Sequence, residues 1–127
     1  MTENEIGTAI IRAAVEVHKE LGPGLLESVY EMALAHLLAE MGFPNQRQVP
    51  ISINFRGVQF DEGFKADLIV CEKVIVELKS KATINAADQK QIQTYLRLSE
   101  KKLGYLLNFG EALMKNGITR VVNGLEE

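Results

Sequence analysis

At Pro44 the spacing of apolar residues changes from roughly one helical turn to every second residue. That switch restricts the chain to folds in which a helical segment is followed by a sheet that it can pack against. Upstream, Ile6, Ile10, Ala13, Ala14, Val17 and Leu21 recur at helical spacing, and Gly22-Pro23-Gly24 ends that run. A second helix is expected over 26–41, with Leu26, Val29, Tyr30, Ala33, Leu34, Leu37, Leu38 and Met41 on one face and Gly42 as its C-terminal cap. The two helices are expected to form a hairpin. Downstream, Val49, Ile51, Ile53 and Phe55 alternate with Pro50, Ser52, Asn54 and Arg56, which is the pattern of a half-buried strand. Gly57 marks a turn. Phe64 to Cys71 and Val74 to Lys79 read as two more strands around a short Glu72-Lys73 turn. Asn85 is a good N-cap for a helix running to about Leu98, with Asp88 in its first turn. Leu103 to Phe109 and Ile118 to Val122 read as late strands. The expected class is α+β: the order ααβββαβ with a further C-terminal strand, and a mixed central sheet flanked by helices.

Composition narrows the possibilities further. The chain has 127 residues, 46 % hydrophobic and 24 % charged, enough apolar material for one core and one domain over 1–127. Charges interrupt every apolar run before it reaches the ~18 residues a membrane span requires. The acidic start, Met1-Thr2-Glu3-Asn4-Glu5, is unlike a signal peptide. Cys71 is the single cysteine, which excludes an internal disulfide framework and a cysteine-rich zinc site. These features predict a cytoplasmic protein without a membrane partner. Aromatics are 6 % with no Trp, so base stacking on a row of rings is not the expected binding mode. The net charge of −3 excludes a strongly basic nucleic-acid coat. Yet residues 73–102 hold seven basic and three acidic side chains, a locally basic segment on an acidic body.

The main chemical signal lies in 64–79. Matching the apolar faces of the two strands pairs Ala66 with Leu78, Leu68 with Val76 and Val70 with Val74, because a one-residue slip would expose a whole apolar set. The same register sets Asp67 opposite Glu77, with Lys79 one pleat further along. Like charges so placed repel and need compensation. A divalent cation with oxygen ligands is the natural compensator. Lys79 on the same face is suited to hold an attacking water or to neutralise charge on a phosphoryl transition state. An isolated Glu-x-Lys on a strand is ordinarily a solvated salt bridge, here to Lys79 or Lys65. The paired Asp67 is what sets this instance apart.

Asp67 followed by Glu77-Leu78-Lys79 resembles the signature of the PD-(D/E)XK nuclease superfamily. Gly24-Leu25-Leu26-Glu27-Ser28-Val29-Tyr30 is similar to the motif of its GxxExxY branch, as is the surrounding Leu21-Gly22-Pro23-Gly24. The resemblance runs from about residue 6 to 122. It implies a restriction-endonuclease-like αβββαβ core, Mg2+ as cofactor with Mn2+ as a substitute, and metal ligands Asp67 and Glu77. It further implies an acidic residue on the first helix of that core, here Glu27, holding the metal through water or directly, and a Gln-x-x-x-Tyr helix, here Gln91 and Tyr95. The Pro that precedes the Asp in the signature is replaced by Ala66. Glu27 and Tyr30 share a helix face. On residues alone, Glu27 reads equally as a first-turn acid complementing the helix N-terminus. Gln91 likewise reads as a surface amide or as a group that orients water or phosphate. His18, His36 and Cys71 read as packing or surface residues. Lys81, Lys90, Arg97, Lys101 and Lys102 are single solvated charges or, together, a guide for phosphates.

Two functions follow, and beside them a purely structural role as a partner in a larger assembly. One is a metal-dependent phosphodiesterase acting on DNA or RNA, with catalytic residues Glu27, Asp67, Glu77, Lys79 and Gln91. The other is a catalytically inactive nucleic-acid-binding or protein-interaction module on the same fold. Little surface remains to grip a duplex, so a homodimer or a partner protein supplying substrate binding is expected.

Overall fold

Local capping decides where the helices begin and end. In a computed structural model that describes Met1–Glu127, α1 spans Glu3–Leu21 behind a Thr2/Glu5 capping box, and Gly22 at φ 71° ends it. The helix α2 spans Glu27–Glu40. A second capping box, Asn85 with Asp88, starts α3 at Ala86–Ser99. The strands are β1 (Asn45–Phe55), β2 (Val58–Val70), β3 (Val74–Lys79), β4 (Leu103–Asn108) and β5 (Ile118–Val122), with a 3₁₀ turn at Met114–Gly117. They form one five-stranded sheet in sequence order. All neighbours are antiparallel except β3 and β4, which α3 connects in parallel. This is the α+β class with a mixed sheet flanked by helices. No helix is long and apolar enough to cross a membrane.

The sheet's two faces are covered unequally. Val74, Val76 and Leu78 of β3 join Leu68 and Val70 of β2 beneath α1 and α2, against Ile6, Ile10, Leu34 and Leu38. Ile69 and Ile75 point the other way and pack on Leu96 of α3. Gly104 lets α3 approach, since a Cβ there would stand 3.1 Å from Ile92 and Leu96 side-chain atoms.

Three expectations need correction. First, β2 begins at Val58, not Phe64. Arg56 and Gly57 both adopt positive φ, so they form the tight turn that folds 58–63 back onto β1. Exposed polar residues at Asp61 and Glu62 hide this extension from a period-two reading. Second, β2 ends at Val70, because Cys71 and Glu72 take positive φ and belong to the turn. Third, Leu68–Val76, Ile69–Ile75 and Val70–Val74 pair as expected, but the ladder stops there, so neither Asp67 and Glu77 nor Ala66 and Leu78 pair across it. Ala66 instead packs in the smaller cluster beside Ile69 and Leu96, and the Leu78 N–H is taken by the Asp67 side chain at 2.9 Å.

Candidate metal centre

Alternation along β3 puts Glu77 and Lys79 on the face of Ile75, under α3, while Val76 and Leu78 enter the larger core. Glu77 is only 5 % exposed. Its Oε1 is buried without a hydrogen-bond partner. Burial first, and the Asp67 carboxylate second, push the Glu77 pKa up to about 9, with Lys79 pulling weakly the other way. Glu77 is therefore protonated at neutral pH in the metal-free protein.

Asp67 is half-buried and held from two sides. Its Oδ2 accepts the Leu78 N–H. Its Oδ1 accepts from Gln48 Nε2 at 3.4 Å. Lys79 Nζ lies 3.9 Å from Asp88 Oδ1, and Lys81 Nζ lies 2.6 Å from Asp88 Oδ2. The Lys81 ammonium, then the Asn85 N–H, hold the Asp88 carboxyl below the usual range. Buried Asn108 at the end of β4 fixes the Lys81 backbone, accepting its N–H and donating to its carbonyl. Both lysines thus gather on Asp88, and Lys79 also acts on Glu77.

Glu27 and Gln91 are exposed, and their side chains make no hydrogen bond or ion pair within the chain. The Glu27 end of α2 is nonetheless tied to the exit of β3, because Ser80 Oγ donates to the Leu25 carbonyl at 2.7 Å. Tyr30 pins the same loop. Its ring is buried and stacked on Phe109, and its hydroxyl donates to the Gly22 carbonyl and accepts the Leu25 N–H. No group of three or more His, Cys, Asp or Glu residues is gathered closely enough to hold a metal ion. The preassembled acids are the Asp67–Glu77 pair, without Glu27. Tyr95, one turn after Gln91, stacks on Phe64 at 3.8 Å. Burial raises its hydroxyl pKa, and the Glu77 and Asp67 charges add to the effect.

Sequence reasoning missed Glu31 and Gln48. Glu31 is 4 % exposed and is bonded by Arg47 Nε at 2.9 Å and by Gln48 Nε2 at 2.6 Å. A signal existed: Glu31 shares the buried stripe of Leu34, Ala35 and Leu38, and a charge inside an apolar stripe is rarely left unpaired.

A sequence model of the PD-(D/E)XK nuclease superfamily matches residues 4–121. No curated protein is detectably similar to the chain. Among solved structures, the crystal structure of SSO0001 is similar with a TM-score of 0.58 and 18 % identity, over 94 % of this chain and 67 % of that one. That likeness is one of fold. With the family match spanning nearly the whole chain and the acid pair and lysine carried on adjacent strands, the chain belongs to the PD-(D/E)XK nuclease superfamily.

Proposed function

We propose that the chain hydrolyses phosphodiester bonds in DNA or RNA using Mg2+, with Mn2+ able to substitute, held by Asp67 and Glu77. The observation that carries the reading is the buried, partnerless Oε1 of Glu77 beside a second carboxylate. Such an atom costs stability unless something completes it. A cation does so, and Mg2+ typically takes only one or two protein carboxylates, with water and substrate phosphate filling the remainder. When bound, the cation lowers the pKa of a water and polarises the phosphoryl oxygen.

The chain's own groups take the other roles. Lys79 is a compact donor for the attacking water or for the charge that develops on phosphate. Lys81 adds a second cation for the phosphate backbone. Glu27, at the start of α2, supports the metal through water or directly, and Gln91 orients a water or phosphate from α3. We further assign the chain to the GxxExxY branch, on the Gly24–Tyr30 heptapeptide, as one nuclease-like domain over 1–127 in the cytoplasm. A second copy or a partner protein supplies additional substrate grip.

The test is cleavage of end-labelled single- and double-stranded DNA and RNA with millimolar Mn2+ or Mg2+, comparing wild type with Glu77→Ala. Metal-dependent cleavage lost in Glu77→Ala is expected. Nucleic-acid binding without cleavage and without any response to metal would establish the inactive binding module instead.

A further inference from the structure

Opposite Asp67, the edge strand β1 is broken in a specific way. Arg47 pairs with Leu68 and Val49 with Ala66, but the intervening Gln48–Asp67 pair is absent from the ladder. Gln48 instead adopts φ 51°, a left-handed conformation that a side chain with a Cβ adopts at a cost. In a regular strand, neighbouring side chains point to opposite faces. Here Arg47 and Gln48 reach the same carboxylate, Arg47 on Glu31 Oε2 and Gln48 on Glu31 Oε1. The twist at Gln48 is what brings them together.

The Gln48 amide has two N–H donors. One goes to Glu31 Oε1 at 2.6 Å and the other faces Asp67 Oδ1 at 3.4 Å. Both contacts require the nitrogen, since both partners are carboxylates, and this fixes which way the amide points. Glu31 has both oxygens occupied and is itself buried, so it serves as an anchor. Asp67 Oδ2 is fixed by the Leu78 backbone, and Gln48 reaches the other oxygen from the edge strand. Glycine or asparagine would adopt the positive φ more cheaply. Glutamine has the reach to bridge the two acids.

We propose that Gln48 is a positioning residue for the Asp67 carboxylate, anchored on buried Glu31, which Arg47 also holds, and presenting Asp67 to the metal in one orientation. This rests on the metal reading of the preceding section. Groups that orient a ligand from behind typically change metal affinity about 10–100-fold when removed.

The conformational cost supplies a test that separates positioning from folding. Gln48→Gly relieves the positive φ while deleting the amide. Gln48→Asn tolerates the same φ but is one methylene too short to bridge. Mn2+ binding is measured by calorimetry and thermal unfolding by circular dichroism, on wild type, both variants and Asp67→Ala. Wild type is expected to bind Mn2+ and Asp67→Ala to fail. Both Gln48 variants are expected to bind about tenfold more weakly while still folded, with a metal-free melting temperature a few degrees lower, because Glu31 Oε1 loses its amide partner. Their activity should recover at saturating Mn2+. Wild-type affinity in the Gln48 variants that fold overturns the positioning role and leaves the metal reading standing. Mn2+ that fails to bind wild type overturns both.

Discussion

Twenty buried side chains fill the space between the sheet and α1 and α2, whereas the cluster beneath α3 contains four. The first face is built from Ile, Leu, Val and Ala together with Tyr30, Tyr105, Phe109 and Met114. The second carries Ile69, Ile75 and Leu96 near the hairpin turn, and then Glu77, Lys79 and Asp88 toward the other end of β3. A single six-residue strand supplies both faces, by alternation. The deep face holds the fold, and its surplus of burial offsets the cost of enclosing Glu77 on the thin one. Chemistry is thereby separated from stability within one strand.

The sharpest way to test that separation is to delete the lysine. Lys79→Ala should lower turnover by about 10²–10³-fold, the usual loss when a preorganised charge is removed from a developing oxyanion. Mn2+ affinity should stay the same or rise slightly, since a competing cation is gone, and calorimetry read beside kcat would show it. Lys79→Arg should not rescue fully, because a planar fork cannot replace a compact ammonium beside a water. A fall in melting temperature as large as the loss of rate would break the division of labour.

The converse substitution lies on the deep face. Leu34 is fully buried among α1, α2 and the sheet. Leu34→Ala should cost about 3 kcal/mol, read by urea unfolding. Mn2+ affinity of the folded protein should be unchanged.

Glu77 crosses the division, and pH reveals it. Its pKa is raised from 4.5 to about 9. Between those values the folded protein retains a proton that the unfolded chain has released, so its contribution favours folding at low pH and is lost as pH rises toward 9. Glu77→Gln cannot titrate. Its stability relative to metal-free wild type should be about 4 kcal/mol greater at pH 8 than at pH 5, measured by denaturant unfolding at both. Equal differences at the two pH values would show that Glu77 is not buried as a neutral acid.

The smallest effect is expected on the exposed side of α3. Gln91→Ala should leave stability within about 0.5 kcal/mol and reduce turnover less than tenfold. A larger loss of turnover would bring Gln91 inside the reacting geometry.

How much of this was legible in sequence follows the range of the interactions. The Asn85 N-cap with Asp88 in its first turn and the alternation of Val74–Lys79 are encoded within a few residues, and both stood out. The Leu68–Val76 register followed from matching two nearby apolar faces. The failure of Ala66–Leu78 pairing did not follow, because a side chain, Asp67, displaces a backbone partner there. Glu31 and Gln48 escaped for a related reason. Their bond joins a helix to a strand seventeen positions on and depends on a positive φ at Gln48 that no spacing rule announces. The Lys81–Asp88 pair was hidden too, since each residue had an adequate local explanation as a solvated charge and a helix cap.

The most direct measurement is a Mn2+ titration of wild type near pH 7 by calorimetry, repeated in two buffers of different ionisation enthalpy and with Asp67→Ala and Glu77→Gln alongside. Binding should be seen in wild type and be strongly weakened in both variants. Wild type should release about one proton per ion, because Glu77 must lose its proton to become a ligand. Heats independent of the buffer, or an affinity unchanged by both substitutions, would contradict a metal site built on Asp67 and Glu77.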